Sequence, residues 1–342
     1  MENNRFRTIR RMILSRGLLA PFVALMLVCA TLVYYFASYS RDQVQTTLVR
    51  IASGHRHLVD QFLDERASDL RFAAASCSIE EISNRADLTE LFRNLQAGSE
   101  AFFDLGVFDD TGNHLEYVGP YDLAGKNYAE AEWFKAVQEE GLYVSDVFLG
   151  HRKIPHFIIA VRRREGDRTW YLRATIDTLS FNGLVEGIRM AQTGEAYLVN
   201  RKGVLQTARR SGGKLMESDP DFNTYVIDDE NVTSFSAGRH SQQRYLYATG
   251  PLKHADWVLV VRQEVGDAYG PVTRAVVIAV AVILVGGTVA GFMAYILASG
   301  LANALALADI EKQHIKTQLV KDIRHAPAWI GAIFRRLAER ND

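Results

Sequence analysis

The sequence predicts an α+β membrane protein in which two transmembrane helices flank a long helix and two tandem antiparallel-sheet modules. Three observations carry this prediction. Residues 18–38 and 275–298 are uncharged apolar spans, each long enough to meet the roughly 20 residues that cross a bilayer as a helix. Residues 41–75 place Val44, Leu48, Ile51, Leu58, Phe62, Leu70 and Ala73 at helical spacing, with charges between them. Beyond that helix, one set of strand and turn signals is followed by a second, similar set.

Bulk properties narrow the function classes. Lysine and arginine total 39 against 40 acidic residues, a net charge of -1, so no basic excess points to a nucleic-acid partner. Cys29 falls inside the first apolar span and Cys77 in the central region, so no internal disulfide framework is expected. The spans are flanked by Arg5, Arg7, Arg10, Arg11 and Arg16 on one side and by Lys312, Lys316, Lys321, Arg324, Arg335, Arg336 and Arg340 on the other. Short basic flanks stay inside, so both termini are expected to be cytoplasmic, in what the resemblance described below implies is a bacterial inner membrane. The resulting division is a cytoplasmic N-terminus at 1–16, a first transmembrane helix at 17–40 and an exported region at 41–270. A second transmembrane helix at 271–298 and a cytoplasmic helical tail at 299–342 follow. A cleaved signal peptide is the alternative for the first span; its apolar run is longer than a signal core needs, which favours an uncleaved anchor.

Within the exported region the elements read in order. The long helix at 41–75 continues from the first span, and a shorter helical stretch at 87–95 follows a break at Ser83 and Asn84. Strands at 101–108 and 114–118 are joined by Asp109-Asp110-Thr111-Gly112-Asn113, a hairpin-turn sequence. A helix is expected at 129–138, then strands at 157–163 and 169–177 around the turn 164–167. A second hairpin is expected at 195–199 and 204–207 around Asn200-Arg201-Lys202-Gly203, then strands at 244–248 and 257–264. Trp170 precedes Asp177 by seven positions and Trp257 precedes Glu264 by seven, which reads as duplication into modules at about 100–187 and 190–265.

The element order, the run Thr193-Gly194-Glu195-Ala196-Tyr197-Leu198-Val199-Asn200 and the segment 143–157 (YVSDVFLGHRKIPHF) together resemble the double-Cache region of bacterial sensor histidine kinases. The resemblance covers about residues 41–270. It implies two PAS-like modules, with a small ligand in the membrane-distal first module and signal relay through the second.

Alternate residues of a strand share a face. One face of the strand at 169–177 carries Tyr171, Arg173, Thr175 and Asp177, whereas the corresponding face at 257–264 carries Val258, Val260, Arg262 and Glu264. The first row is polar and the second half apolar. This reads either as a pocket lining in the first module or as an ordinary solvated sheet face. The aromatics Tyr117, Tyr121, Tyr128, Trp133 and Phe134 precede it and are suited to pocket walls; Phe134 is expected to pack on the sheet, Tyr128 and Trp133 to line the pocket. Amino-acid-binding members of the family carry an Arg two positions before this Trp, where Ala131 stands here, and Asp177 corresponds to the Asp that meets the ligand amine. Cationic groups lie nearby at His151, Arg152, Lys153 and His156. The expected ligand is therefore a small organic-acid anion held by Arg152 or Arg173 with His156 assisting, because Arg grips a carboxylate bidentately. The expected ligand-binding residues are Tyr121, Tyr128, Trp133, Arg152, His156, Tyr171, Arg173 and Asp177. For His151 and Lys153 a solvated basic loop is the even alternative.

No metal-ligand spacing, nucleophile motif or phosphate-binding loop occurs, so no catalytic residue, metal or cofactor is expected. An enzymatic role would come only through the family, as a protein-histidine kinase. Ala308, Ile315, Leu319 and Ile323 give the tail a helical stripe, and Gly287 and Gly291 permit close helix approach, both pointing to a homodimer. His325 precedes Ala326-Pro327 rather than the acidic residue of a phosphoacceptor motif. The 44 residues from 299 onward are too few for an ATP-binding domain. The output is thus assigned to a separate cytoplasmic protein such as a kinase, or the chain is a truncated or split sensor kinase. Residues 330–337 are expected to lie on the membrane as a short amphipathic helix. A structural rival is a two-span scaffold like the regulators of surface-polysaccharide chain length, whose exported regions are dominated by long helices.

Overall fold

A helix of 57 residues, α1 (Ala20–Ser76), opens the computed structural model, which describes residues 20–123, 125–187, 192–238 and 243–325. The chain divides into two units, Met1–Tyr39 with Thr273–Asp342, and Ser40–Val272. In the first unit the described residues are helical: the start of α1, and α6 (Val265–His325) from Thr273 onward. Their apolar side chains are uncovered, with Leu27 at 64% and Phe292 at 65% exposure, and both helices are long and apolar enough to cross a membrane. The stretch expected at 330–337, and Pro327, lie outside the described residues.

In the second unit, α1 buries Leu48, Ala52, Val59, Leu63, Ala67, Leu70 and Ala74, a stripe at three- and four-residue steps or their sums. Leu58, expected on that stripe, is 49% exposed, because Val59 holds the position in phase with Ala52 and Leu63. The short α2 (Ile79–Ile82) starts on a capping box from Ser78 and Glu81, and α3 (Arg85–Gly98) starts on the Asn84 side chain, which accepts from Ala86 N. Asn84 thus explains the break the sequence marks there.

The first sheet contains β1 (Phe102–Asp109), β2 (His114–Val118), β3 (Leu142–Val144), β4 (Phe157–Glu165) and β5 (Arg168–Ile176), in the order β2-β1-β5-β4-β3. Helix α4 (Glu132–Glu140) precedes β3 and α5 (Thr178–Glu186) follows β5. Helix α4 begins three residues later than expected, because Tyr128 to Ala131 form a turn closed by Ala131 N donating to Tyr128 O. The second sheet contains β6 (Glu195–Asn200), β7 (Thr233–Gly238), β8 (Arg244–Pro251) and β9 (Trp257–Glu264), in the order β6-β9-β8-β7. All named pairings are antiparallel. The expected strand at 204–207 is not regular: residues there make only isolated bridges, Val199 with Leu205 and Val204 with Ser218. Strands β3 and β7 carry no strong sequence signal, being short in one case and Ser- and Gly-rich in the other. Two sheets of this kind oppose the helical-scaffold reading.

One face of each sheet packs on α1. Leu105, Val107, Leu172 and Ala174 from the first, and Ala196, Leu198, Leu246 and Val261 from the second, join the α1 stripe in a single apolar cluster. Between the modules, Phe157, Phe181 and Trp257 pack their rings at 4.9 to 5.8 Å. Asp146 accepts there from Trp257 Nε1 at 2.8 Å and from Asn200 Nδ2 at 2.7 Å. The opposite sheet faces point away from α1, and each holds its own smaller cluster.

Candidate ligand site

The outer face of the first sheet is set by register. Arg173 pairs with Gly106 on one side and Ala160 on the other. Thr175 pairs with Asp104, and Tyr171 with Phe108. The two small neighbours leave a hollow over the middle of the sheet, and the Arg173 side chain fills it. Gly106 is required at this point: a Cβ there would stand 2.5 Å from His114 Nε2.

Arg173 is 2% exposed, and its guanidinium carbon lies 5.0, 5.1 and 5.3 Å from the ring centroids of Phe108, Tyr128 and Trp133. Three aromatic faces around a cation form a cage that partly offsets the loss of water. Its Nε and Nη2 nonetheless have no hydrogen-bond partner. Tyr171 packs against Phe134 with centroids 4.9 Å apart, so Phe134 does pack on the sheet, in the same cluster as Tyr128 and Trp133.

Arg152 enters from a short 3-10 turn, Gly150–Arg152, with its side chain 4% exposed. Its Nη2 forms an ion pair with Asp104 Oδ2. Tyr117 Oη donates to the same Asp104 oxygen at 3.0 Å, while Asp104 Oδ1 is unpartnered. Thr175 Oγ1, Trp133 Nε1 and His114 Nε2 are likewise buried without partners. Orphaned buried polar groups are rare in folded proteins and each asks for an explanation. Here six such atoms, from five residues, gather on one sheet face and its covering segments.

Both buried histidines are neutral. Burial first, then the nearby Arg173 charge, pushes the His114 pKa down to about 4. Burial, with Arg152 and Arg173 adding to it, does the same for His156, also to about 4. His114 Nδ1 donates to Leu123 O at 2.8 Å and His156 Nδ1 to Ile154 O at 2.8 Å. His114 Nε2 is therefore an acceptor. With Arg152 and Arg173 positive and Asp104 alone negative, this buried face carries one positive charge without a counter-charge.

A cavity of about 340 Å³ adjoins it, lined in part by Tyr121, Arg152, His156, Thr175 and Asp177. The eight expected residues therefore fall into two neighbouring groups. Tyr128, Trp133, Tyr171 and Arg173 make the cage, and Tyr121, Arg152, His156 and Asp177 line the cavity. Asp177 lines the cavity and has a structural role as well. Its carboxylate caps α5, accepting from Leu179 N and Ser180 N at 3.2 Å and from Ser180 Oγ at 2.6 Å. His151 is exposed with its ring edge against Tyr128, and Lys153 is exposed.

Sequence reading missed Asp104, Gly106, Phe108 and His114. The alternation of Asp104, Gly106 and Phe108 within an apolar strand was the available signal.

The second module corrects the expectation of a plainer face. Its buried Arg262 bonds Glu195 Oε1 at 2.5 Å and Asp221 Oδ2 at 2.9 Å, and buried Arg209 bonds Asp219 and Asp221 at 2.6 Å each. Tyr225 Oη donates to Asp219 and pairs with Tyr197 Oη. Both buried arginines here, Arg209 and Arg262, have carboxylates supplied by the chain itself. Arg173 of the first module has none among the described residues.

No family model matches the chain, and no curated protein matches it either. Solved structures do. The ligand-binding domain of the Pseudomonas aeruginosa amino-acid chemoreceptor PctB, in complex with L-Arg, superposes with a TM-score of 0.55 at 16% identity, covering 67% of this chain and 98% of that one. The ligand-binding domain of the Pseudomonas fluorescens chemoreceptor CtaA, in complex with L-isoleucine, gives 0.54 at 13% identity, covering 68% and 97%. An extracellular domain described as that of a histidine kinase, mmHK1S-Z2, gives 0.54 at 9% identity, covering 66% and 99%. The central part of the chain has the fold of these domains, the double-Cache fold.

Proposed function

We propose that this protein is a membrane-anchored sensor whose first module binds a small anion, in the manner of a ligand-sensing input domain. The observation that supports this best is Arg173: a buried cation in an aromatic cage, with two unused donors and no counter-charge. Burying a charge without a partner costs several kcal/mol, and a bound carboxylate removes that cost while accepting two hydrogen bonds at once. The second module, closed by its own carboxylates, is the relay.

In this reading the two apolar helices span the inner membrane, residues 41–270 are exported, and both termini are cytoplasmic. The segment from Ser145 to His156 links the parts. It presents Arg152 and His156 to the site, while Asp146 holds Trp257 and Asn200 of the second module. Trp257 begins β9, which runs directly into α6. Ligand-dependent movement of that segment would thus reach α6, and from there a homodimeric tail and a cytoplasmic output protein such as a kinase. The ligand biases the two states only by its difference in affinity between them.

The test is calorimetric titration of the full chain in lipid nanodiscs with small carboxylates and amines. Binding of a carboxylate, weakened at least tenfold by Arg173→Lys, is the expected result. Binding of amines alone, or no effect of the substitution, overturns the anion reading.

A further inference from the structure

The cavity beside Arg152 is lined by a few polar residues, Arg152, His156, Thr175, Asp177 and Thr178, among apolar ones. Arg152 and Thr175 line it, and Thr175 Oγ1 is buried without a hydrogen-bond partner among the described residues. The remaining lining is mostly apolar: Phe103, Tyr121, Ile154, Pro155, Leu179 and Leu215. Phe103, Ile154 and Leu179 are 39%, 51% and 80% exposed, so large apolar side chains stand uncovered around it. Thr175 lies on the same strand face as Arg173, one two-residue repeat further along. Arg152 and Thr175, the latter one strand repeat from Arg173, thus put polar groups in a recess whose lining is largely apolar.

From this arrangement, and resting on the anion reading above, we infer that the ligand is a singly charged carboxylic acid with an apolar tail of about four to six carbons and no ammonium group. Size supports the tail. The cavity's roughly 340 Å³ holds about ten heavy atoms at the ~30 Å³ a water-sized group occupies, three of which a carboxylate takes. Charge supports the missing ammonium. The buried face has one unneutralised positive charge, which a carboxylate balances and a zwitterion does not. Asp104 is the buried carboxylate nearest to an ammonium role, and it is already engaged by Arg152 and Tyr117. Its free Oδ1, like His114 Nε2, can take a neutral hydroxyl donor. Asp177, at the cavity lining, is committed to capping α5.

The experiment titrates the full chain in nanodiscs with acetate, butanoate, hexanoate and octanoate. A second series shares one carbon skeleton: 4-methylpentanoate, 2-hydroxy-4-methylpentanoate and leucine. Affinity is expected to rise two- to fourfold per methylene from butanoate to hexanoate, and to be at least tenfold higher for the two 4-methylpentanoates than for leucine. Leu179→Ser, which removes part of the apolar lining, should flatten the chain-length series. Equal affinity along the series, or an unchanged slope in the variant, overturns the apolar tail with the anion site intact. Leucine binding as tightly as its deaminated analogue overturns the exclusion of ammonium. Failure of every carboxylate removes the anion site itself, a distinguishable result.

Discussion

Arg173 and the two histidines make the site's electrostatics measurable one residue at a time. Arg173→Met replaces an unpaired buried cation by an apolar side chain of similar length. The ligand-free protein should then become more stable, by about 1 kcal/mol or more in chemical denaturation, while losing its response to carboxylates. A destabilised, still responsive variant would show that Arg173 has a partner in the resting state. His114 and His156 give a pH signature. Each is held neutral in the fold with a pKa near 4, below the 6.5 of a free histidine. Between pH 6.5 and about 4 the unfolded chain therefore binds more protons, so stability falls as pH drops through that window. The loss is on the order of 3 kcal/mol per histidine when complete. His114→Gln should shallow the dependence, read from unfolding midpoints at pH 4, 5 and 7. Arg173, Tyr171, Tyr128 and Trp133 were legible because strand alternation and aromatic clustering are local patterns. Asp104 was not, since a lone acid in an apolar strand acquires meaning only when Arg152 arrives from 48 residues away. Arg209, Asp219 and Asp221 lie in irregular chain, where no period reveals which side chains converge.

Strands and helices were easier to read than the segments joining them. Strand β9 matches its expected bounds and β5 nearly does, because β-branched and aromatic runs end at clear turns. The missed strands, β3 and β7, form by pairing with β4 and β8, a nonlocal cause. At this scale Asp177 and Asp146 separate structure from signalling. Asp177→Ala removes the cap of α5 and should cost about 0.5–2 kcal/mol, with ligand affinity changed less than threefold. A loss of binding far beyond that would restore Asp177 to direct ligand contact. Asp146→Ala breaks the bonds to Trp257 and Asn200 and should cost about 1–3 kcal/mol. Its ligand affinity should persist, while the ligand-induced change in hydrogen exchange along β9 disappears. Retention of that change would place the coupling elsewhere.

At the scale of the molecule, the central segment is two sheets on one helix, and the sequence revealed this through duplication and the long apolar period of α1. It did not reveal that the duplicated faces diverged in opposite directions, one left electrostatically open and one sealed by its own acids. The buried stripe of α1 has a further consequence. Leu48 to Ala74 serve both sheets within one continuous apolar cluster, so the largest core belongs to both modules, each adding only a smaller cluster of its own. The two should melt together, in one cooperative transition rather than two, and calorimetry of the full chain would register their unfolding as a single peak. A ligand touching only the first sheet then raises the melting temperature of both. Amides of β8, which the ligand never approaches, would exchange with deuterium more slowly whenever the site is filled, and the slowest-exchanging amides of both sheets would slow by the same factor.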